Sequence, residues 1–146
     1  LLRFSKNLKK DAIPRQIIND LRNIDNQYPD LTIHMGLGEY KEYKYTYYRP
    51  VLVYMGNPYY IDFPIYMAYE NANMVNRKQL TQIFETCKID IWLIPKGNIP
   101  FNMENFAINH KSLFDNQFRN SFLNNYVQIN SSKFFDIYKC KMLSKS

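Results

Sequence analysis

Ile89-Asp90-Ile91-Trp92-Leu93-Ile94 sets the fold class of this chain. It is short, almost continuously apolar and rich in β-branched side chains. Those properties belong to a strand buried on both faces rather than to a helix. Just before it, Arg77 to Thr86 places Leu80, Ile83 and Phe84 on one side at helical spacing. Just after it, Pro95-Lys96-Gly97 ends the run in a loop. A helix leading into a doubly buried strand is one unit of an α/β sheet, and the rest of the chain offers more such units.

Upstream, Asp11 to Asn26 carries Ile13, Ile17, Ile18, Leu21 and Ile24 on one face, with Asp11 as a cap and Pro14 in the first turn. Tyr28-Pro29-Asp30 stops this helix, and Leu31 to Met35 follows as a short buried strand before the turn Gly36-Leu37-Gly38-Glu39. A tyrosine-dense region comes next: ten of the thirteen tyrosines lie between Tyr40 and Tyr69. Within it a helix is expected through Val51 to Met55, closed by Gly56-Asn57-Pro58. A strand is expected over Tyr60 to Phe63, and a short helix or turn over Ile65 to Asn71. Downstream, Lys111 to Asn124 points Leu113, Phe114, Phe118, Phe122 and Leu123 inward. Tyr126 to Asn130 and Phe134 to Cys140 form a hairpin about Ser131-Ser132. The expectation is a single domain of class α/β over residues 1–146: three layers, α/β/α, with a mainly parallel sheet and a C-terminal antiparallel β-hairpin. Residues 1–10 read as a linking edge and 141–146 as a tail.

Composition agrees with a folded domain, since 46 % of the 146 residues are hydrophobic and 22 % charged. A disordered chain lacks the apolar surface that offsets ordering entropy. No stretch reaches the about 18–20 consecutive apolar residues of a membrane span. Leu1-Leu2-Arg3-Phe4 is neither an initiator methionine nor the start of a signal peptide, so Leu1 reads as a cut in a longer protein. The net charge of +6 is spread along the chain, apart from Lys6, Lys9 and Lys10 beside that start. Such a balance fits a solvated surface, and it also fits anionic lipid or nucleic acid as a partner. Asn, Lys, Ile and Tyr are abundant in the manner of an AT-rich genome, which lowers the weight of any single Asn or Lys.

The chemistry of several enzyme classes is missing from the pattern. Gly36-Leu37-Gly38 follows a strand, but position 41 is Lys41 where a dinucleotide fingerprint needs its third glycine. His34 and His110 have no Cys or acidic residue at ligand spacing, so no metal and no cofactor is expected. No serine stands on a strand-to-helix turn, as a hydrolase nucleophile would. Asp62 with Glu70, or Glu39 with Glu42, are carboxylate pairs that solvation explains as well as acid–base work does. Lys41, Lys44 and Arg49 interleave with Tyr43, Tyr45, Tyr47 and Tyr48. That pattern suits the rim of a core, a sugar or lipid-linked ligand, or, least favoured, a nucleic acid. No residue is assigned a catalytic role.

The two cysteines have a placement that brings them together. Cys87 ends the helix before the central strand, and Cys140 ends the last strand. If those strands are antiparallel neighbours, the start of one lies beside the end of the other and a disulfide is within reach. Two separate buried thiols are the other reading.

Arg49-Pro50-Val51-Leu52-Val53, Gly56-Asn57-Pro58, Cys87 with Ile94-Pro95-Lys96-Gly97 and Pro100-Phe101, and Phe135-Asp136-Ile137-Tyr138-Lys139-Cys140 together resemble a known family. They look like the C-terminal soluble region of bacterial polytopic membrane glycosyltransferases similar to the dolichyl-phosphate-mannose–protein mannosyltransferases. The resemblance implies a polyprenyl-phosphate sugar donor, or a glycan acceptor, and a preceding membrane domain as the chain's own partner. It implies a location on the extracytoplasmic, periplasmic face of the inner membrane. It also implies that catalysis resides in the membrane part, since no position here matches the family's key acidic residue. Ligand contacts are expected at the strand ends of an open sheet: His34, Glu39, Tyr48, Arg49, Lys96 and Phe101. Arg49 and Lys96 are expected to share one crevice and hold an anionic group. The competing expectation is a free-standing intracellular α/β module that binds a nucleotide or nucleic acid.

Overall fold

A computed structural model describes residues 2–105 and 108–142, with side chains from residue 12 onward except Tyr40 and Tyr43. In chain order the elements are α1 (Leu2–Gln27), β1 (Ile33–Met35), a 3-10 segment (Tyr40–Tyr48), α2 (Arg49–Tyr54), α3 (Phe63–Asn71), α4 (Arg77–Glu85), β2 (Ile91–Pro95), α5 (Asn116–Asn125), β3 (Tyr126–Ser131) and β4 (Phe135–Cys140). The four strands form one sheet in the order β1-β2-β4-β3. The tail from Leu143 to Ser146 and the side chains of Lys6, Lys9, Lys10 and Asp11 lie outside the described residues.

β2 is internal, and all five of its residues are buried. Ile91 and Leu93 join Ile33 and Met35 of β1, Phe135 and Ile137 of β4, Ile17, Leu21 and Ile24 of α1, and Leu52 of α2 in one apolar cluster. Trp92 and Ile94 join Phe63, Tyr66 and Met67 of α3, Phe84 of α4, and Phe118 and Phe122 of α5 in another. The strand's alternation therefore feeds two cores, which is why its sequence is apolar at nearly every position. The second core is built on rings. Phe84 lies 4.9 Å from Phe118 and 5.3 Å from Trp92, both edge-on, the arrangement that ring quadrupoles favour.

The expected mainly parallel sheet does not form. Only β1 and β2 pair in parallel, while β2–β4 and β3–β4 are antiparallel. Two local features explain the difference. Tyr60 to Phe63 is not a strand, because Asp62 caps α3 by accepting the Ile65 N–H and Pro64 sits in the helix's first turn. The C-terminal antiparallel hairpin forms as expected, and it supplies half of a sheet of only four strands, with β4 beside β2 and β3 at the edge.

Helix α1 starts at Leu2 rather than Asp11 and runs through Pro14. Ile13 faces solvent, not the core. Helix α5 begins at Asn116, capped by Asp115, so Leu113 and Phe114 are buried in the loop before it, and Leu123 is exposed. Among the described residues no helix is long and apolar enough to cross a membrane.

The cysteines form the expected bridge, with Cα atoms 5.9 Å apart. The β2–β4 register sets Ile91 opposite Lys139, and the Cys140 N–H donates to the Asp90 carbonyl, which carries Cys140 to the turn that holds Cys87. That turn closes α4 with a pair of bonds, Cys87 N–H to Phe84 O and Lys88 N–H to Ile83 O, and Cys87 takes the left-handed conformation at φ 48°.

Candidate functional site

The first part of the tyrosine-rich region, residues 40–54, folds into two helical pieces that meet at Arg49. Pro50 sits in the first turn of α2, where its missing N–H is harmless, and Gly56 ends the helix with φ 96°. Asn57 then locks the turn in place. Its side-chain oxygen accepts the Ile33 N–H at 2.9 Å, and its Nδ2 donates to Asp25 Oδ1 at 3.0 Å and to the Leu52 carbonyl at 3.2 Å. One amide thus ties β1, α1 and α2 together and sets the direction of the following loop, Pro58 to Asp62.

That loop lays Tyr59 and Asp62 against Arg49. The guanidinium donates from Nε to the Tyr59 hydroxyl at 2.8 Å, from Nη1 to the Thr46 carbonyl at 2.8 Å, and from Nη2 to Asp62 Oδ2 at 3.3 Å. The Tyr59 hydroxyl in turn donates to the same carboxylate oxygen. Burial pulls the Arg49 pKa down, but the bonds to Tyr59 and Asp62 outweigh it and hold it above its ordinary value. Burial pushes Asp62 up, and the bonds from Tyr59, the Ile65 N–H and Arg49 reverse that, so its carboxyl lies below the usual range. Burial and the Asp62 bond both raise Tyr59. The trio is a locked, charge-balanced pair with a phenol between its members.

His34 supports this loop from beneath. It is buried, its Nδ1 bonds the Met35 carbonyl at 2.8 Å, and its Nε2 faces the N–H groups of Tyr60 at 3.2 Å and Ile61 at 3.4 Å. A carbonyl only accepts, so Nδ1 carries the proton and Nε2 accepts from the loop. Desolvation is the main reason that its pKa falls to about 4, with the Arg49 charge adding to it against the Met35 carbonyl. The ring lies parallel to that of Tyr59 and tilted against that of Trp92. His34 is therefore a neutral strut that fixes the loop.

Outside the trio, Arg49, Pro50, Val53, Tyr54 and Tyr59 line an open cleft of about 400 Å³. Tyr54 is 94 % exposed, an unusual position for so large a ring. Lys88 lies 4.4 Å over the ring of the neighbouring Tyr60.

The other expected contacts are scattered. Lys96 is exposed and donates to the Ser132 carbonyl at 3.0 Å, so it serves the hairpin turn and takes no part in lining the Arg49 cleft. The shared crevice with Arg49 is not formed, because Lys96 follows β2 on the side that meets β4. Phe101 is buried at 1 % exposure among Phe63, Phe114 and Phe122, and Tyr48 is half-buried against the α1 core. Glu39 borders a separate cavity with Lys41, Asn102 and Glu104. Asp62 and Glu70 do not act as a carboxylate pair: Asp62 goes to Arg49, and Glu70 to Arg77 at 2.7 Å. Among the described residues no three His, Cys, Asp or Glu side chains converge as a metal site.

Tyr54, Tyr59 and Asp62 escaped sequence reasoning as a set. The one available signal was Asp62-Phe63-Pro64, which starts a helix and so turns Asp62 and its neighbours toward Arg49. No protein-family model, no curated protein and no solved structure matches this chain.

Proposed function

We propose that this chain is the extracytoplasmic, non-catalytic domain of a membrane glycosyltransferase-like protein using polyprenyl-phosphate sugars, and that it handles the donor or acceptor or serves assembly. In this reading it is a three-layer α/β/α body that works beside its own membrane domain at the periplasmic face of the inner membrane. The observation that carries the reading is the Cys87–Cys140 bridge. Such cross-links persist in oxidising compartments and are rare where glutathione and thioredoxin keep thiols reduced. The sequence words around Arg49, Asn57, Lys96 and Asp136 support the family side of the reading. Three of these residues make structural bonds that hold loops at the sheet: Asn57 to β1, Lys96 to the hairpin turn, and Asp136 to the Gly97 N–H at 2.9 Å. The aromatic cleft beside Arg49 supports a handling role, since it offers a surface for a ligand and holds no nucleophile–base pair.

Thiol alkylation without reductant, read by mass spectrometry on the protein as made in its own cells, tests the location. An oxidised pair is expected, and two alkylated thiols would refute an extracytoplasmic domain. Transfer from a polyprenyl-phosphate sugar, assayed for the parent protein with and without residues 12–142, tests the role. Unchanged transfer by the shortened protein would refute it.

A further inference from the structure

The cleft beside α2 has the chemistry of one ligand class, and this inference rests on the handling role proposed above. We infer that Arg49, Pro50, Val53, Tyr54 and Tyr59 form a binding subsite for a neutral sugar ring of a glycan. Three features converge. The first is size: about 400 Å³ falls within the range of small-ligand pockets and holds a pyranose with room for its neighbours. The second is the wall. Two tyrosine rings, a proline and a valine present an apolar surface, which matches the face of a pyranose that carries C–H groups. Tyr54 leaves almost its whole ring in water, and a stacked ligand would remove that exposed apolar area.

The third feature is charge, and it separates a neutral sugar from an anion. A phosphate site wants an uncompensated cation, whereas Arg49 is already balanced by Asp62 at 3.3 Å. Three of the five guanidinium N–H groups are committed, to Tyr59, Thr46 and Asp62. One on each terminal nitrogen has no acceptor among the described residues, and these two are the donors offered to sugar hydroxyls. The guanidinium is also held in place before any ligand arrives, which lowers the ordering cost of binding.

The direct experiment is a titration of the 146-residue chain, followed by amide chemical shifts, with mannotriose, cellotriose and chitotriose, and separately with inorganic phosphate and with polyprenyl phosphate in detergent micelles. A neutral trisaccharide is expected to bind in the millimolar range and to shift the amides of residues 49–59. Tyr54→Ala is expected to weaken this at least tenfold, or about 1.4 kcal/mol, and Tyr54→Trp to preserve it. Tyr54 touches so little that neither substitution threatens the fold. Tyr69→Ala, another exposed tyrosine away from the cleft, is expected to bind as the wild type does. No shift with any neutral sugar up to about 10 mM overturns the inference. So does binding of phosphate or polyprenyl phosphate alone, or equal binding by Tyr54→Ala. These results leave the thiol state and the transfer assay unaffected, so failure of the subsite and failure of the proposed function are told apart.

Discussion

His34 and Asp20 show how single polar side chains hold this molecule. His34 has its usual pKa of 6.5 lowered to about 4 by burial, so the unfolded chain binds a proton that the folded chain refuses. Its contribution to stability is complete above about pH 6.5 and is lost as the pH falls toward 4, by about 3 kcal/mol in total. Urea unfolding is expected to show about 2 kcal/mol less stability at pH 5 than at pH 7, with much of that slope absent in His34→Gln. A slope unchanged by the substitution would place the titration elsewhere. Asp20 is a buried carboxylate on α1 that accepts the Ser132 hydroxyl at 2.7 Å and the N–H groups of Phe134 at 2.9 Å and Lys133 at 3.3 Å. Asp20→Ala strands three donors at the hairpin turn and is expected to cost about 3 kcal/mol, with Asp20→Asn costing less. Denaturation midpoints within experimental error of the wild type would show the clamp to be idle.

At the scale of elements, the decisive event is the return of β4 into the sheet. It lies between β2 and β3, pairs antiparallel with both, and brings Cys140 to the end of α4. The bridge spans a sequence separation of 53, for which chain entropy gives about 4 kcal/mol. Reduction, or the double substitution Cys87→Ala and Cys140→Ala, is expected to lower the unfolding free energy by up to that amount, measured by urea melts with and without reductant. Identical melts would mean that the strand pairing alone holds this corner. Cys87 also occupies a left-handed position that glycine would fill without steric cost, a penalty of about 1 kcal/mol that the cross-link offsets. The Gly36–Gly38 segment belongs to this scale too. A Cβ at Gly36 would come 2.7 Å from Ile94 Cδ1, and one at Gly38 would fall on the Asn98 side chain that accepts the Glu39 N–H. These glycines let the chain after β1 pack closely on β2 and on the loop that follows it, which is the role they have in place of a dinucleotide turn.

For the whole molecule, two cores share the sheet, and the tyrosine-lined cleft lies beside α2. The buried His34 is committed to loop backbone, and Asp62, Glu70 and Asp115 are each paired with arginine. The purified chain is therefore expected to release no sugar from a polyprenyl-phosphate donor and to hydrolyse no glycoside, measured by product formation over hours. Turnover abolished by one substitution within the chain would contradict this.

The order of residues alone determined the central strand, the amphipathic helices around it and the terminal hairpin. Each of these rests on local periodicity or on the fixed rise of a strand, both legible in one dimension. It also determined the absence of a nucleotide fingerprint at Lys41. Only the tertiary structure decided that the sheet is mostly antiparallel. Helix–strand alternation sets neither where a hairpin inserts nor whether Tyr60 to Phe63 pairs, and the Asp62 cap settled the latter. Only the tertiary structure separated Arg49 from Lys96, buried Phe101 and set Tyr59 and Asp62 against Arg49. Those partners lie 10 and 13 residues away from Arg49, and the loop that joins them is aimed by Asn57 and His34. A site made of long-range hydrogen bonds leaves no periodic trace, because each bond depends on where two unrelated segments meet.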